Sequence, residues 1–249
     1  MVYKPTTQNS SGQFTNTGQI SDTAVVIQLP LAHQVADLVR DMIVQDVLKQ
    51  GEPIRERIVS ETLNVSRTPL REGLKILATE GLVELIPNRG AIVANPTPEE
   101  TRDRLILLSA LEAFAGELAV EFATDKDVDE IIALHYEMLA AQKRNNRLQY
   151  FKFNQHIHSA IVRISQNGAL IENHTRLNLQ VYRARYRNNL NSTEWGRSIS
   201  EHEKIIAALQ ERNGDALSTI LRRHMDPVWT TVMEEAVNTY PICPKTVTT

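Results

Sequence analysis

Three cations at steps of four, Arg67, Arg71 and Lys75, run along one segment beside Leu70, Leu74 and Leu77. Wound into a helix, the leucines take one face and the cations the adjoining one. Two chemistries fit such a row. One is a solvated face above an apolar stripe. The other is contact with a nucleic acid, since the planar fork of an arginine matches guanine O6 and N7 in the major groove. Spacing alone does not choose between them. A second set lies further along. Asn154 and His158 are four apart and share a helical face, His202 opens a later helix and His224 sits in the last one. If those helices adjoin, three imidazoles and an amide oxygen converge, a donor set suited to zinc or another first-row divalent ion. The plainer reading is ordinary packing, because seven histidines in 249 residues are no surplus. His33, His135, His156 and His174 have no evident partner and read as packing or surface residues.

The elements that must carry these groups follow from periodicity. Apolar residues from Leu29 to Leu48 recur at three- and four-residue steps, which predicts an amphipathic helix ended by Gly51 and Pro53. A shorter helix fits Glu56 to Leu63. Asn64-Val65-Ser66 then makes a tight turn, with Ser66 as N-cap of a helix to about Glu80, where Gly81 stops it. Two short strands, Leu82–Ile86 and Ala91–Ala94, flank a Pro87-Asn88-Arg89-Gly90 turn, so a two-stranded hairpin follows the cationic helix. Helix, turn, helix and hairpin in that order form a winged helix-turn-helix, whose second helix enters the major groove.

Asn95-Pro96 marks a domain boundary. Thr97-Pro98-Glu99-Glu100 opens a long helix with a Thr cap, a Pro in the first turn and acids at the positive end of the dipole. Everything from there to about Val237 is helical in pattern, with breaks near Thr124, Asn145, Asn167, Asn191 and Asn213, which predicts an antiparallel bundle of about six helices. The resulting fold class is mainly α. Residues 1–28 read as a polar tail, 29–95 as the winged helix-turn-helix domain, 96–238 as the helical domain and 239–249 as a C-terminal tail.

Bulk numbers limit the choices. Apolar and charged fractions of 42% and 23% are those of a globular protein. No apolar run approaches the roughly 20 residues that span a bilayer, and the polar N-terminus lacks the plan of a secretory signal. A lone cysteine, Cys243, rules out an internal disulfide framework and suits a reducing cytoplasm. The net charge of −3 means that any DNA binding must come from local placement of cations.

The run VSRTPLREGLKILATEGLVELIPNRGAIV resembles the winged helix-turn-helix of the GntR family of bacterial transcription regulators, close to its Val-Ser-Arg-Thr-Pro-Val-Arg-Glu-Ala-Leu pattern. The resemblance implies that Arg67 and Arg71 contact bases and nearby phosphate, that Ser66 and Thr68 contact the backbone, and that Arg89-Gly90 forms the wing tip. It also implies DNA contact by Arg57. Gly73 stands where the family usually has Ala, and a mid-helix Gly costs roughly 1 kcal/mol.

The C-terminal half is similar to the FCD ligand-binding domain of the FadR-like branch. Leu111-Glu112, His158 followed by Asn167, Glu201-His202 with Ala207, and Gly214-Asp215 with His224 carry that resemblance. It implies a divalent metal, zinc or nickel, held by His158, His202 and His224, with a small carboxylic-acid effector completing the coordination. The family's Asp position is Asn154 here. A neutral carboxamide in place of a carboxylate lowers metal affinity and raises attraction for an anion. The family's usual Phe before the histidine is Ile157. Leu108 replaces an Arg that often lies four residues before the glutamate. The Arg-rich run Tyr182–Arg187 reads first as a solvated helix face or dimer surface and second as a replacement effector clamp through Arg183 and Arg187. The expectation is therefore a cytoplasmic, homodimeric, ligand-responsive transcription regulator, a repressor and not an enzyme, binding a palindromic double-stranded DNA operator. The alternative from another class is a His-rich metallohydrolase, in which zinc activates water.

Overall fold

The computed structural model describes residues 30–188 and 192–226, with Val228, Thr230 and Val232. The tails expected at 1–28 and 239–249 lie outside the described residues.

Helix α1, Leu31–Val44, buries Val35, Ala36, Val39, Ile43 and Val44, the inward stripe that its periodicity calls for. It ends before Leu48 because Asp46 turns left-handed at φ 59°. Helices α2, Glu56–Thr62, and α3, Arg67–Thr79, are joined through Asn64 at φ 52°. A short polar residue tolerates that region better than others. Leu70, Leu74 and Leu77 of α3 are buried against α1. The departure at Gly73 has a physical reason here. A Cβ at this position would lie 3.1 Å from the Ala32 carbonyl oxygen and 3.2 Å from the Ala36 nitrogen, so glycine lets α1 and α3 approach backbone to backbone.

Strands β2, Val83–Ile86, and β3, Gly90–Val93, form the hairpin, with Asn88 at φ 60° and Gly90 at φ 88° in the turn. The sheet has a third strand that the sequence reading lacks. Pro53–Ile54, β1, pairs antiparallel with β3 in the registers Pro53↔Ile92 and Ile54↔Ala91. Two residues are too few to show alternation, so only the pairing reveals them.

Beyond the boundary come α4 (Pro98–Phe122), α5 (Asp125–Lys143), α6 (Arg147–Ile164), α7 (Gly168–Gln180), α8 (Tyr182–Asn188), α9 (Ser192–Gln210) and α10 (Gly214–His224). Thr97 with Glu100 and Thr124 with Asp127 close capping boxes on α4 and α5. The expected fourth helix of this half is split at Val181, which has no Gly or Pro to announce it. The bundle core is built on Ile131, Met138, Ile157, Ile205 and Leu217. Gly116 of α4 lets α10 close in, for a Cβ there would fall 2.7 Å from Leu221 Cδ1.

The two halves touch. Val44 of α1 packs with Phe151 of α6 and Tyr186 of α8, flanked by Leu148 and Tyr182. Asp41 binds Lys152, and Arg183 binds both Asp46 and Gln50.

Candidate metal centre and nucleic-acid interface

On α3, Arg67, Thr68, Arg71 and Lys75 are exposed, opposite the buried leucines, and Ser66 is the exposed N-cap residue. The Ser66 hydroxyl makes no capping bond within the chain. Arg67 has no hydrogen bond or ion pair among the described residues. Arg71 Nε donates to Glu56 Oε2 at 2.8 Å, Arg57 pairs with Glu61 at 3.0 Å and Lys75 with Glu72 at 2.8 Å. These are surface pairs worth at most about 1 kcal/mol each, so a phosphate or base edge can compete for the cations. Arg55, Arg57 and Arg67 line one open cleft with Glu56 and Ile58, which adds Arg55 to the cations that the sequence reading singled out. At the wing, Arg89 and Gly90 are exposed.

In the bundle, His158 of α6, His202 of α9 and His224 of α10 come together. One ring nitrogen from each lies within 4.8 Å of the others, and all three rings are buried. The His158 and His224 rings stack at 4.9 Å, and His202 meets His158 edge-on at 5.3 Å. Asn154, one turn before His158, is buried with Nδ2 3.3 Å from His202 Nε2 and 3.4 Å from Ser198 Oγ. The fold thus brings the four side chains that the sequence singled out into one neighbourhood.

Charged groups surround them. His224 Nδ1 lies 2.6 Å from Glu201 Oε2, and because a carboxylate only accepts, the proton sits on Nδ1 and Nε2 is left for another partner. Glu112, buried in α4, has Oε2 2.9 Å from His158 Nδ1 but off the line of a hydrogen bond. Its Oε1 accepts from Arg185 Nη1 at 3.1 Å and lies 3.2 Å from His174 Nε2. Burial opposes ionisation of Glu112, yet His158 and Arg185 hold its carboxyl well below the usual range. Burial takes His158 down to about 4 against the pull of Glu112. His202 is also pushed well below its usual value by burial and by the neighbouring imidazoles of His224 and His158. Neutral imidazoles are metal ligands, and His158 Nε2 is buried without a hydrogen-bond partner. Three such donor nitrogens within 4.8 Å of one another are a set that fits a divalent ion, whose bonds to nitrogen run about 2.1 Å.

A small pocket adjoins the triad, lined by Asn154, Arg185, Asn188, Ser198, His224 and Met225. Within the Arg-rich run it is thus Arg185 that reaches the site. Arg183 is bound to Asp46 and Gln50 in the N-terminal half, and neither it nor Arg187 lines the pocket. Sequence reasoning missed Arg185, Glu112 and Glu201 as site residues. Glu201 adjoins His202 in the chain, and Glu112 is a carboxylate in the apolar stretch LILLSALEAFAG, a sign of a buried charge with partners.

Comparison with known proteins agrees with both halves. Residues 31–93 match "Bacterial regulatory proteins, gntR family", and residues 105–227 match the "FCD domain". The HTH-type transcriptional repressor RspR of Escherichia coli is 25% identical over 199 residues, covering 80% of this chain and 87% of that protein. The Glc operon transcriptional activator of Escherichia coli is 29% identical over 161 residues, covering 57% of this chain and 63% of that protein. Among solved structures, E. coli McbR/YncC shares the fold with a TM-score of 0.73 at 22% identity, over 84% of this chain and 99% of that one.

Proposed function

This chain belongs to the gntR family of DNA-binding transcription regulators, with an FCD domain behind its winged helix-turn-helix, and on that premise we propose how it holds operator and effector. Arg67 and Arg71 read base edges in the major groove. Arg55, Arg57, Ser66 and Thr68 hold the phosphate backbone, and Arg89-Gly90 lays the wing against the adjacent groove. The observation that carries this reading is the exposure of every one of these side chains on the elements that a groove admits.

The helical domain takes a divalent ion, zinc or nickel, through His158, His202 and His224, with Asn154 as the neutral fourth donor. When bound, the ion offers a Lewis-acidic anchor for a carboxylate oxygen. Arg185 clamps the same small carboxylic acid. Two of its bonds go to Glu112 and Asn178, and its planar fork keeps further N–H donors for the pocket. Asn188 and Ser198 add polar contacts. The protein acts in the cytoplasm as a homodimer on a palindromic operator, the domains dividing near Asn95-Pro96. No described helix is long and apolar enough to cross a membrane. Support for the dimer is an apolar stripe on α4, where Ile106, Leu107 and Phe114 are about half exposed. We read the regulator as a repressor. RspR carries that name and the Glc operon relative is named an activator, so a reporter assay with the gene deleted gives the sign.

A metallohydrolase leaves the arginine row and the wing without a role. The deciding experiment is a shift assay on operator duplex. Binding should weaken steeply with salt as counterions are released. Arg67→Ala and Arg71→Ala should each cost about 1–3 kcal/mol and relax base preference. Unchanged binding by both variants removes the assignment.

A further inference from the structure

We propose that Glu112 and Glu201 are the positioning carboxylates of the metal centre, each turning one ligand histidine so that Nε2 faces the ion and supplying the negative charge that neutral Asn154 does not. The inference rests on the metal reading above and goes beyond its ligand set. Geometry carries it. Glu201 of α9 takes the Nδ1 proton of His224 on α10 at 2.6 Å. Glu112 of α4 stands 2.9 Å from Nδ1 of His158 on α6, close enough for a small ring rotation to align the bond. Each carboxylate thus comes from a different helix than the ring it orients, and the two contacts tie four helices around the triad.

The chain's own departure gives these groups their weight. Three neutral imidazoles and one carboxamide contribute no charge to a divalent ion in a buried site. Among the described residues, the negative groups in contact with the triad are Glu112 and Glu201. Glu112 shares its charge with Arg185 at 3.1 Å, whereas Glu201 has Arg197 no nearer than 3.7 Å and is the less neutralised of the two. Among the described residues His202 has no such carboxylate, and its Nδ1 is buried without a hydrogen-bond partner. Partners of this kind fix the tautomer and raise the basicity of the ligand nitrogen, and losing one typically weakens metal binding about 10–100-fold.

The test is zinc and nickel affinity of the full-length protein, measured by competition with a chromophoric chelator, beside the melting temperature of the chelator-treated protein. The parent should take up one ion per chain and His224→Ala should lose it. Glu201→Gln should bind about 10–100-fold more weakly with its metal-free melting temperature unchanged. Adding Asn154→Asp to Glu201→Gln should regain at least about tenfold, because a charge returns to the site. Glu112→Gln should weaken binding as well. If burial beside Arg185 prevents its folding, the partly exposed Glu201 decides alone. Parent-like affinity in Glu201→Gln, with His224→Ala empty, overturns the positioning role and leaves the site standing. No regain in the double variant overturns the charge argument. A parent that takes up no ion overturns the metal centre and this inference together.

Discussion

Two buried imidazoles make stability depend on pH with a sign that can be worked out. His158 titrates near 4 in the folded chain and near its ordinary 6.5 when unfolded, and His202 is displaced the same way. On acidification the unfolded state therefore takes up protons first. The stability held by these neutral rings is complete above pH 6.5 and lost as pH falls toward 4. For His158 alone the loss between pH 7 and pH 5 should be about 2 kcal/mol, read as a fall in denaturant midpoint of the metal-free protein. An unchanged midpoint would mean that these rings are not buried neutral. At Gly73 two residue-scale effects oppose each other. Alanine gains about 1 kcal/mol of helix propensity, while overpacking against backbone typically costs about 1–3 kcal/mol. The neighbours at 3.1 and 3.2 Å are backbone atoms of α1, which cannot rotate aside. Gly73→Ala should therefore lose about 1 kcal/mol in urea denaturation, and a gain would show that α1 yields.

Helix α8 is short, yet it faces two ways. Arg185 reaches the pocket and Glu112, Arg183 reaches Asp46 and Gln50 beyond the end of α1, and Tyr186 packs on Val44. An effector that draws on Arg185 therefore acts on the element that also holds the DNA-binding domain. Coupling needs different effector affinities in the two domain arrangements, and it must be reciprocal. Arg183→Ala should leave effector affinity in the absence of DNA near the parental value. It should also shrink the factor by which effector changes operator affinity toward one. Parental coupling in that variant, measured by titrating operator at fixed effector, would exclude this route. The same helix explains a limit of periodicity. The chain from Gly168 to Asn188 reads as one helix, and the break at Val181 that turns Arg185 inward carries no breaker residue.

At the scale of the molecule, symmetry and charge decide. A net charge of −3 gives no general attraction for DNA, so affinity must arise where arginines cluster on α2, α3 and the wing. Two such surfaces on one palindrome act together only if the protomers are joined. The exposed stripe of Ile106, Leu107 and Phe114 on α4 is where a like surface can pack. If the proposed dimer packs through this stripe, Phe114→Glu should shift it toward monomer in sedimentation and weaken binding to a full palindrome far more than to a half-site. A dimer unaffected by that change would place the interface elsewhere.

How much was legible follows from the range of the interactions. Helices, caps and the hairpin turn are written locally, in apolar steps of three and four, in Thr97 and Thr124, and in the Asn88–Gly90 turn, because each depends on residues within one or two turns. The family motifs added the expectation of DNA contact at Arg67 and Arg71 and of a shared site for the three histidines. Tertiary structure alone decided which arginine of the Tyr182–Arg187 run meets the pocket, that Pro53–Ile54 forms a third strand, and that Glu112 and Glu201 reach His158 and His224, which lie 46 and 23 residues further along the chain, as the numbers 112 to 158 and 201 to 224 give. Those partners are chosen by how helices pack, and a buried charge has no periodic signature until the group that satisfies it is in place.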